Sequence, residues 1–346
     1  MTRVYFTRTF DTEAIRCLFK SALEDMVRRI DDSDKVAVKL HFGEEGNTRY
    51  VKPYQIKPIT DELIRLTANC FLTDANTLYT GMRHNGHDHR RIAEHHGFTT
   101  LGLPVIIADG DDGKDEKVID IQGNIFKKVK IGRAIAEADA VVAVSHFKGH
   151  VMFSFGGAIK NLGMGSGSRA GKLEMHSKVR PSVNRRCNGC GSCVENCRAD
   201  AISIVNDKAV IDHGICEGCA YCIAICPSEA ISVPWGGATN REVQNRCSEY
   251  ALGTVKDKKL VCINFINNIT RDCDCMADTQ IIGSDVGITA SIDPLSCDKA
   301  AYDLVMQKHN GRDIFKSATG VDGTSIFSYA EKIGLGRAAY DLVSID

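Results

Sequence analysis

The sequence lacks a surplus of charge. Its 43 lysines and arginines stand against 44 aspartates and glutamates, a net of −1 with histidine neutral. No strong field therefore draws a nucleic acid or an anionic membrane surface. It also lacks any apolar run of about eighteen residues, which argues against a helical bilayer span. The opening MTRVYFTRTFDTEAIRCLFKS carries arginines but no apolar h-region, so a secretory leader is not expected there. These absences point to a soluble, cytoplasmic chain with neither nucleic acid nor membrane as partner. Without an export signal, a disulfide framework is also the weaker use for cysteine.

Cysteine is what the sequence has in quantity, fifteen in 346 residues. Eight of them form two runs, Cys187-x2-Cys190-x2-Cys193-x3-Cys197 and Cys216-x2-Cys219-x2-Cys222-x3-Cys226-Pro227. Each member of the first run stands 29 residues before its counterpart, and Ala201-Ile202-Ser203 recurs as Ala230-Ile231-Ser232. A duplication of this length implies two similar units that bury a shared core. Three cysteines at intervals of three wrap a turn of chain around a cubane, and the fourth points away to the other cluster. That logic assigns Cys187, Cys190, Cys193 and Cys226 to one 4Fe–4S cluster, and Cys216, Cys219, Cys222 and Cys197 to a second. Gly189, Gly191 and Gly218 suit the tight backbone, and Ile202 to Val205 with Ala209 to Asp212 reads as a hairpin around Asn206-Asp207-Lys208. Structural zinc also takes four cysteines, but usually as two Cys-x2-Cys pairs.

The segment from Arg186 to Trp235 closely resembles the bacterial-type two-cluster ferredoxin. One departure is Arg198, which stands where the second half keeps Cys226-Pro227. The resemblance implies an iron–sulfur, electron-transfer role, and the oxygen lability of such clusters suits an anaerobic cytoplasm.

The remainder alternates helical and strand patterns. Apolar residues three and four apart predict a helix over 12–30, followed by a strand at 36–40. A helix near 55–67, a strand at 71–74, a helix at 88–96 and a strand at 105–108 come next. A hairpin-like stretch at 118–129 precedes a helix at 132–139 and a buried strand at 140–144. Beyond Trp235 the pattern resumes with a helix at 242–254 and strands at 260–265, 281–282 and 287–290. Helices at 297–308 and 325–333 close the chain. The expected fold class is α/β: a mostly parallel sheet flanked by helices, interrupted by an inserted ferredoxin-like α+β two-cluster domain. Residues 1–177 and 237–346 form the α/β domain, and 178–236 the insert. Six basic and six acidic residues leave the insert neutral, which suits a segment packed on its own host.

Outside the insert, His146-Phe-Lys-Gly-His150, Gly156-Gly-Ala-Ile-Lys160-Asn161-Leu-Gly-Met-Gly165 and Asp272-Cys-Asp-Cys275 resemble the domain-of-unknown-function 362 family. So do Asp285-Val-Gly-Ile-Thr-Ala-Ser291 with Asp293-Pro294, and Tyr329-Ala-Glu-Lys-Ile-Gly-Leu-Gly336. The family name supplies no activity. Cys273-x-Cys275 and His146-x3-His150 both follow predicted strands, and ligands gather at the carboxyl ends of parallel strands. These four residues are candidates for a third site, holding a soft or borderline metal or acting as redox thiols. Of the histidine-rich stretch 83–96, which reads as a solvated helix start, only His89 matches the family pattern and joins the candidates. The glycine-rich 163–172 stretch fails as a phosphate loop, since Leu173 replaces the Ser or Thr that magnesium requires. With Lys160, Arg169 and Lys172 it still offers charge to a flavin or substrate phosphate. Cys17, Cys70, Cys247, Cys262 and Cys297 are expected to pack as small apolar side chains.

Two functions follow. In the first, the chain is an electron carrier or relay serving a redox partner protein or a small redox substrate. In the second, it is an oxidoreductase whose clusters feed a site built from His146, His150, Cys273 and Cys275.

Overall fold

A computed structural model describes residues 1–177, 180–233, 237–277 and 279–346. Short apolar runs pair into one eight-stranded sheet. In chain order its strands are β1 (Thr2–Thr7), β2 (Val36–Lys39), β3 (Cys70–Asp74), β4 (Val105–Ile107), β5 (Ala140–His146), β6 (Lys259–Ile266), β7 (Gly287–Ser291) and β8 (Tyr340–Ser344). Across the sheet they run β8-β1-β7-β6-β5-β2-β3-β4. Every neighbouring pair is parallel except those of β7, which is antiparallel to both β1 and β6. The mostly parallel α/β architecture read from the sequence is present.

Strands β2, β3 and β5 are buried along their whole length, as parallel strands covered on both faces must be. Alternation divides their side chains between two cores. Val36, Val38, Val142 and Val144 face the core that holds Ile15, Leu18, Phe19, Ile56, Ile59 and Leu63 of helices Thr12–Glu24 and Pro53–Leu66. Ala37, Val141 and Ala143 face the opposite core, which holds Ile159, Val243, Cys247 and Ala301 of helices Ala158–Gly163, Asn240–Val255 and Pro294–Lys308. Strands from both sides of the cysteine-rich segment share the sheet, with β5 and β6 in direct register from Ala140↔Lys259 to His146↔Phe265.

Between them, residues 180–233 build a separate small core around Cys187, Cys193, Ile202, Ala220, Ile223 and Ile231. The predicted hairpin is present as Ile202–Val205 with Lys208–Ile211. Its two turn residues, Asn206 and Asp207, take φ of 49° and 57°, as a two-residue type I′ connection requires. The 29-residue repeat recurs in the backbone. Gly189 and Gly218 take φ of 69° and 71°, Gly191 and Ala220 83° and 59°, and Asp200 and Glu229 50° and 48°. The expected segment limits at 178 and 236, and Trp235, lie outside the described residues.

Several expectations need correction. The first helix stops at Glu24 rather than near residue 30: Val27, placed on its apolar face, is 97% exposed, while Met26 and Ile30 reach the core from the following loop. Residues 132–139 supply only a four-residue helix, Arg133–Ala136. Ile281 makes a single bridge to Thr270, not a strand. Cys17 is exposed and faces Glu13, whereas Cys70, Cys247, Cys262 and Cys297 are buried as expected.

Candidate functional site

The carboxyl ends of β2, β3 and β5 and the loop after β6 surround a cavity of about 330 Å³. His146, His150, Cys273 and Cys275 all line it. The two motifs meet because β5 and β6 are adjacent and parallel, which brings the chain after each to the same sheet edge. The strand after His146 folds back as a short hairpin, Lys148–His150 with Ser154–Gly156. Met276 N–H donates to Cys273 O at 3.0 Å, closing a turn that carries both cysteines.

Both ring nitrogens of His146 are engaged. Nδ1 lies 2.9 Å from Asp274 Oδ1, and Nε2 lies 2.8 Å from Asn267 O. Both ring nitrogens are thus taken up by protein partners rather than offered to a metal. Lys148 Nζ also reaches Asp274, at 3.1 Å. Burial pushes the Asp274 carboxyl up, but His146 and Lys148 outweigh it and hold the group well below the usual carboxylate range. Among the described residues, no three His, Cys, Asp or Glu side chains converge on a single-ion site.

Cys275 is surrounded by donors. Gly43 N–H donates to Nδ1 of His41 at 3.1 Å, so the ring proton sits on Nε2, which lies 3.4 Å from Cys275 Sγ. Burial lowers the His41 pKa and keeps this ring neutral. The hydrogen bond from Cys273, followed by the fields of Arg83 and His41, outweighs burial and holds the Cys275 thiol well below its ordinary value. Cys273 is pushed up correspondingly, mainly by that same bond. In this pair the Cys273 thiol donates a hydrogen bond to Cys275, which favours the thiolate on Cys275.

Sequence reasoning did not single out Asp74 and Arg83, which line this cavity, or Lys39 packed behind them. Lys39 is fully buried, and its ammonium bonds Asp74 Oδ1 at 2.9 Å, Asn161 Oδ1 at 2.7 Å and Leu40 O at 2.6 Å. Arg83 reaches Glu44 at 3.3 Å, Asp74 at 3.4 Å and the Tyr79 hydroxyl at 2.6 Å. The signal was available: Lys39 and Asp74 are polar residues closing apolar strand runs, at the edge where parallel sheets bind ligands. His89 sits behind Asp74, 3.6 Å from its Oδ2, and does not line the cavity. Burial lowers His89 to a pKa of about 4.

The eight cysteines of 187–226 close around two other cavities. One is lined by Cys187, Cys190, Cys193 and Cys226, the other by Cys197, Cys216, Cys219 and Cys222. Each run of three is thus completed by the fourth cysteine of the other run. Main-chain amides point at the sulfurs: Ala201 N to Cys197 Sγ at 3.3 Å, its repeat mate Ala230 N to Cys226 Sγ at 3.2 Å, and Ala209 N to Cys187 Sγ at 3.3 Å. Leu78 and Leu173 of the α/β body pack into the same small core. Leu78 also lines the large cavity, so one side chain bridges the two regions. Arg198 faces Asp112 at 4.0 Å, and Lys114 lies 3.4 Å over the Tyr221 ring.

The model of one protein family, described as a domain of unknown function (DUF362), matches residues 36–303. No curated protein matches the chain. Among solved structures, the lactate racemase apoprotein from Thermoanaerobacterium thermosaccharolyticum is similar at a TM-score of 0.34 and 15% identity, over 66% of this chain and 49% of that one. A Thermotoga maritima protein from a structural-genomics consortium gives a TM-score of 0.44 and 10% identity, over 86% and 59%. The chain thus spans less than two thirds of the length of either.

Proposed function

We propose that this chain, which belongs to the DUF362 family of domains of unknown function, is an iron–sulfur electron-transfer protein that relays electrons to or from its α/β body. The observation that carries this reading is the crossed closure of eight cysteines around two cavities. Cys187, Cys190, Cys193 and Cys226 would hold one 4Fe–4S cluster, and Cys216, Cys219, Cys222 and Cys197 the other. Each cluster, when bound, stores and passes one electron.

The residues present fit that role. In a cubane the four thiolates ligate four different irons, so they stand further apart than four ligands around one zinc. Amides of Ala201, Ala209 and Ala230 supply N–H donors to sulfur, a recognised lever on cluster potential. Ile202, Ala220, Ile223 and Ile231 pack with the buried Cys187 and Cys193 in one apolar core, while Cys190 is exposed. Leu78 supports a relay inward, because it touches both the cysteine core and the cavity.

A second reading, an oxidoreductase with its own site, is favoured by the Cys275 thiolate held in that cavity by Cys273, His41 and Arg83. Redox thiols suit this arrangement better than a metal, since His146 has no free ring nitrogen. The electron donor or acceptor would be a redox protein or a small molecule. Among the described residues no helix is long and apolar enough to cross a membrane. Anaerobic dithionite titration tests the relay: the reading expects about two electrons taken up per chain with bleaching of a broad visible band. A chain that takes up none, with its iron retained, would refute it.

A further inference from the structure

We infer that the cavity at the carboxyl edge of the sheet binds a small organic monoanion, a carboxylate on an apolar body, with Lys160 as its counter-ion. The inference rests on reading this cavity as the functional site of the α/β body; it does not require the clusters.

The charges around the cavity do not cancel. Besides Cys275, which His41 and Arg83 already face, Asp74 is the only anionic side chain in its wall among the described residues. It is already engaged by Lys39 at 2.9 Å, Arg83 at 3.4 Å and His89 at 3.6 Å. Lys148 is spent on Asp274 at 3.1 Å, and Lys172 Nζ donates to Gly167 O at 2.6 Å. Lys160 differs from these. Among the described residues no carboxylate lies within ion-pair distance of its ammonium and no hydrogen bond is made by it; the nearest aromatic ring is Phe153, at 5.7 Å. A partly buried ammonium facing a partly sheltered cavity favours an anion there, where its field is less screened than at the open surface.

The wall also explains why the anion is a carboxylate rather than a phosphate. A phosphate prefers several main-chain amides at a helix start, or a guanidinium fork. The helix Ala158–Gly163 begins beside Lys160, but its first amides are taken: Ala158 N donates to Asp298 Oδ1 at 2.6 Å and Ile159 N to Oδ2 at 2.9 Å. Arg169 is buried outside the cavity wall, bonded to His84 O. The wall keeps one ammonium that is unpaired among the described residues, with His150 also lining the cavity. Met152 N–H donates to Nδ1 of His150 at 3.1 Å, which leaves that ring's proton on Nε2.

Thr77, Ser145 and His176 also face the cavity, and much of the remaining wall is apolar. Leu78, Met152, Phe153 and Met164 form the interior, with Val151 and Met276 each 54% exposed nearby. A volume of about 330 Å³ suits a ligand of this modest size.

The test is anaerobic titration calorimetry on the intact, cluster-bearing protein with benzoate, benzamide and phenyl phosphate. Lys160→Met and Lys160→Arg are measured alongside, and iron and sulfide are assayed on every sample. The wild type should bind benzoate at least about tenfold more tightly than either of the others. Lys160→Met should erase that preference, and Lys160→Arg should keep it. No benzoate heat at millimolar concentration, benzamide or phenyl phosphate binding as tightly, or a preference unchanged in Lys160→Met would each overturn the inference. Selective benzoate binding in a chain devoid of iron would instead leave it standing and sink the cluster reading alone.

Discussion

Asp274 accepts a hydrogen bond of 2.9 Å from Nδ1 of His146, a residue 128 positions earlier in the chain. Neither partner is exposed beyond 1% of its side chain. The contact joins the end of β5 to the loop after β6, and so sets the wall that presents Cys273 and Cys275.

Removing this carboxylate leaves His146 and Lys148 without their shared acceptor. Truncating one partner of a buried charged pair costs about 3–5 kcal/mol. Asp274→Ala should therefore lower unfolding free energy by several kcal/mol in urea denaturation. Because the carboxyl is held well below its ordinary value, its contribution is present above the unfolded-state pKa and is lost as pH falls through the folded one. The difference between wild type and variant should shrink in acid. A constant difference down to pH ~3 would contradict the assignment.

Asp298 predicts the opposite slope. Burial raises its carboxyl from 3.8 to about 6. Between those values the folded chain binds more protons than the unfolded one, so stability should fall as pH rises from about 4 to about 6 and level off above. The effect amounts to about 3 kcal/mol at most. Asp298→Asn should flatten that part of the profile, as measured by urea midpoints at half-unit pH steps. An unchanged slope would rule out Asp298 as its source.

Two glycines of the cysteine segment should respond differently to alanine. A Cβ at Gly189, at φ +69°, would meet Asp207 O at 2.9 Å, whereas one at Gly191 meets nothing within 4 Å. The repeat mate of Gly191 is already an alanine, Ala220, at φ 59°. Gly191→Ala should cost only the left-handed strain of about 1 kcal/mol and keep its iron. Gly189→Ala displaces the hairpin turn from the cavity of Cys187 and should lose about half the iron per chain. Equal iron in the two variants would show that this turn does not shape the site.

The cysteine segment was legible because its constraints are local and repeated. The Asn206-Asp207 turn and the 29-residue repeat both lie within a few residues of what they specify. The α/β alternation was legible for the same reason. Less was visible where tertiary context decides. Strand β1 and the closing strand β8 went unrecognised, and the reversed direction of β7 has no signature in its five residues. The periodicity that ran the first helix past Glu24 counted Val27 as core, although it is exposed. At the cavity, Cys273, Cys275, His146 and His150 drew notice as potential ligands. Lys39, His41, Asp74 and Arg83 did not, because each stands alone in sequence and acquires meaning only when four segments meet. The saturation of His146 by Asp274 and Asn267 is likewise a property of the fold.

The crossed closure of the cysteines is the central claim, and iron and acid-labile sulfide counting on anaerobically purified protein tests it most directly. The wild type should carry about eight of each per chain. Cys190→Ala and Cys219→Ala, each removing a ligand from a different set, should each fall to about four or leave a degraded three-iron centre at one site only. A wild type that binds zinc in place of iron, or iron without sulfide, would contradict the account.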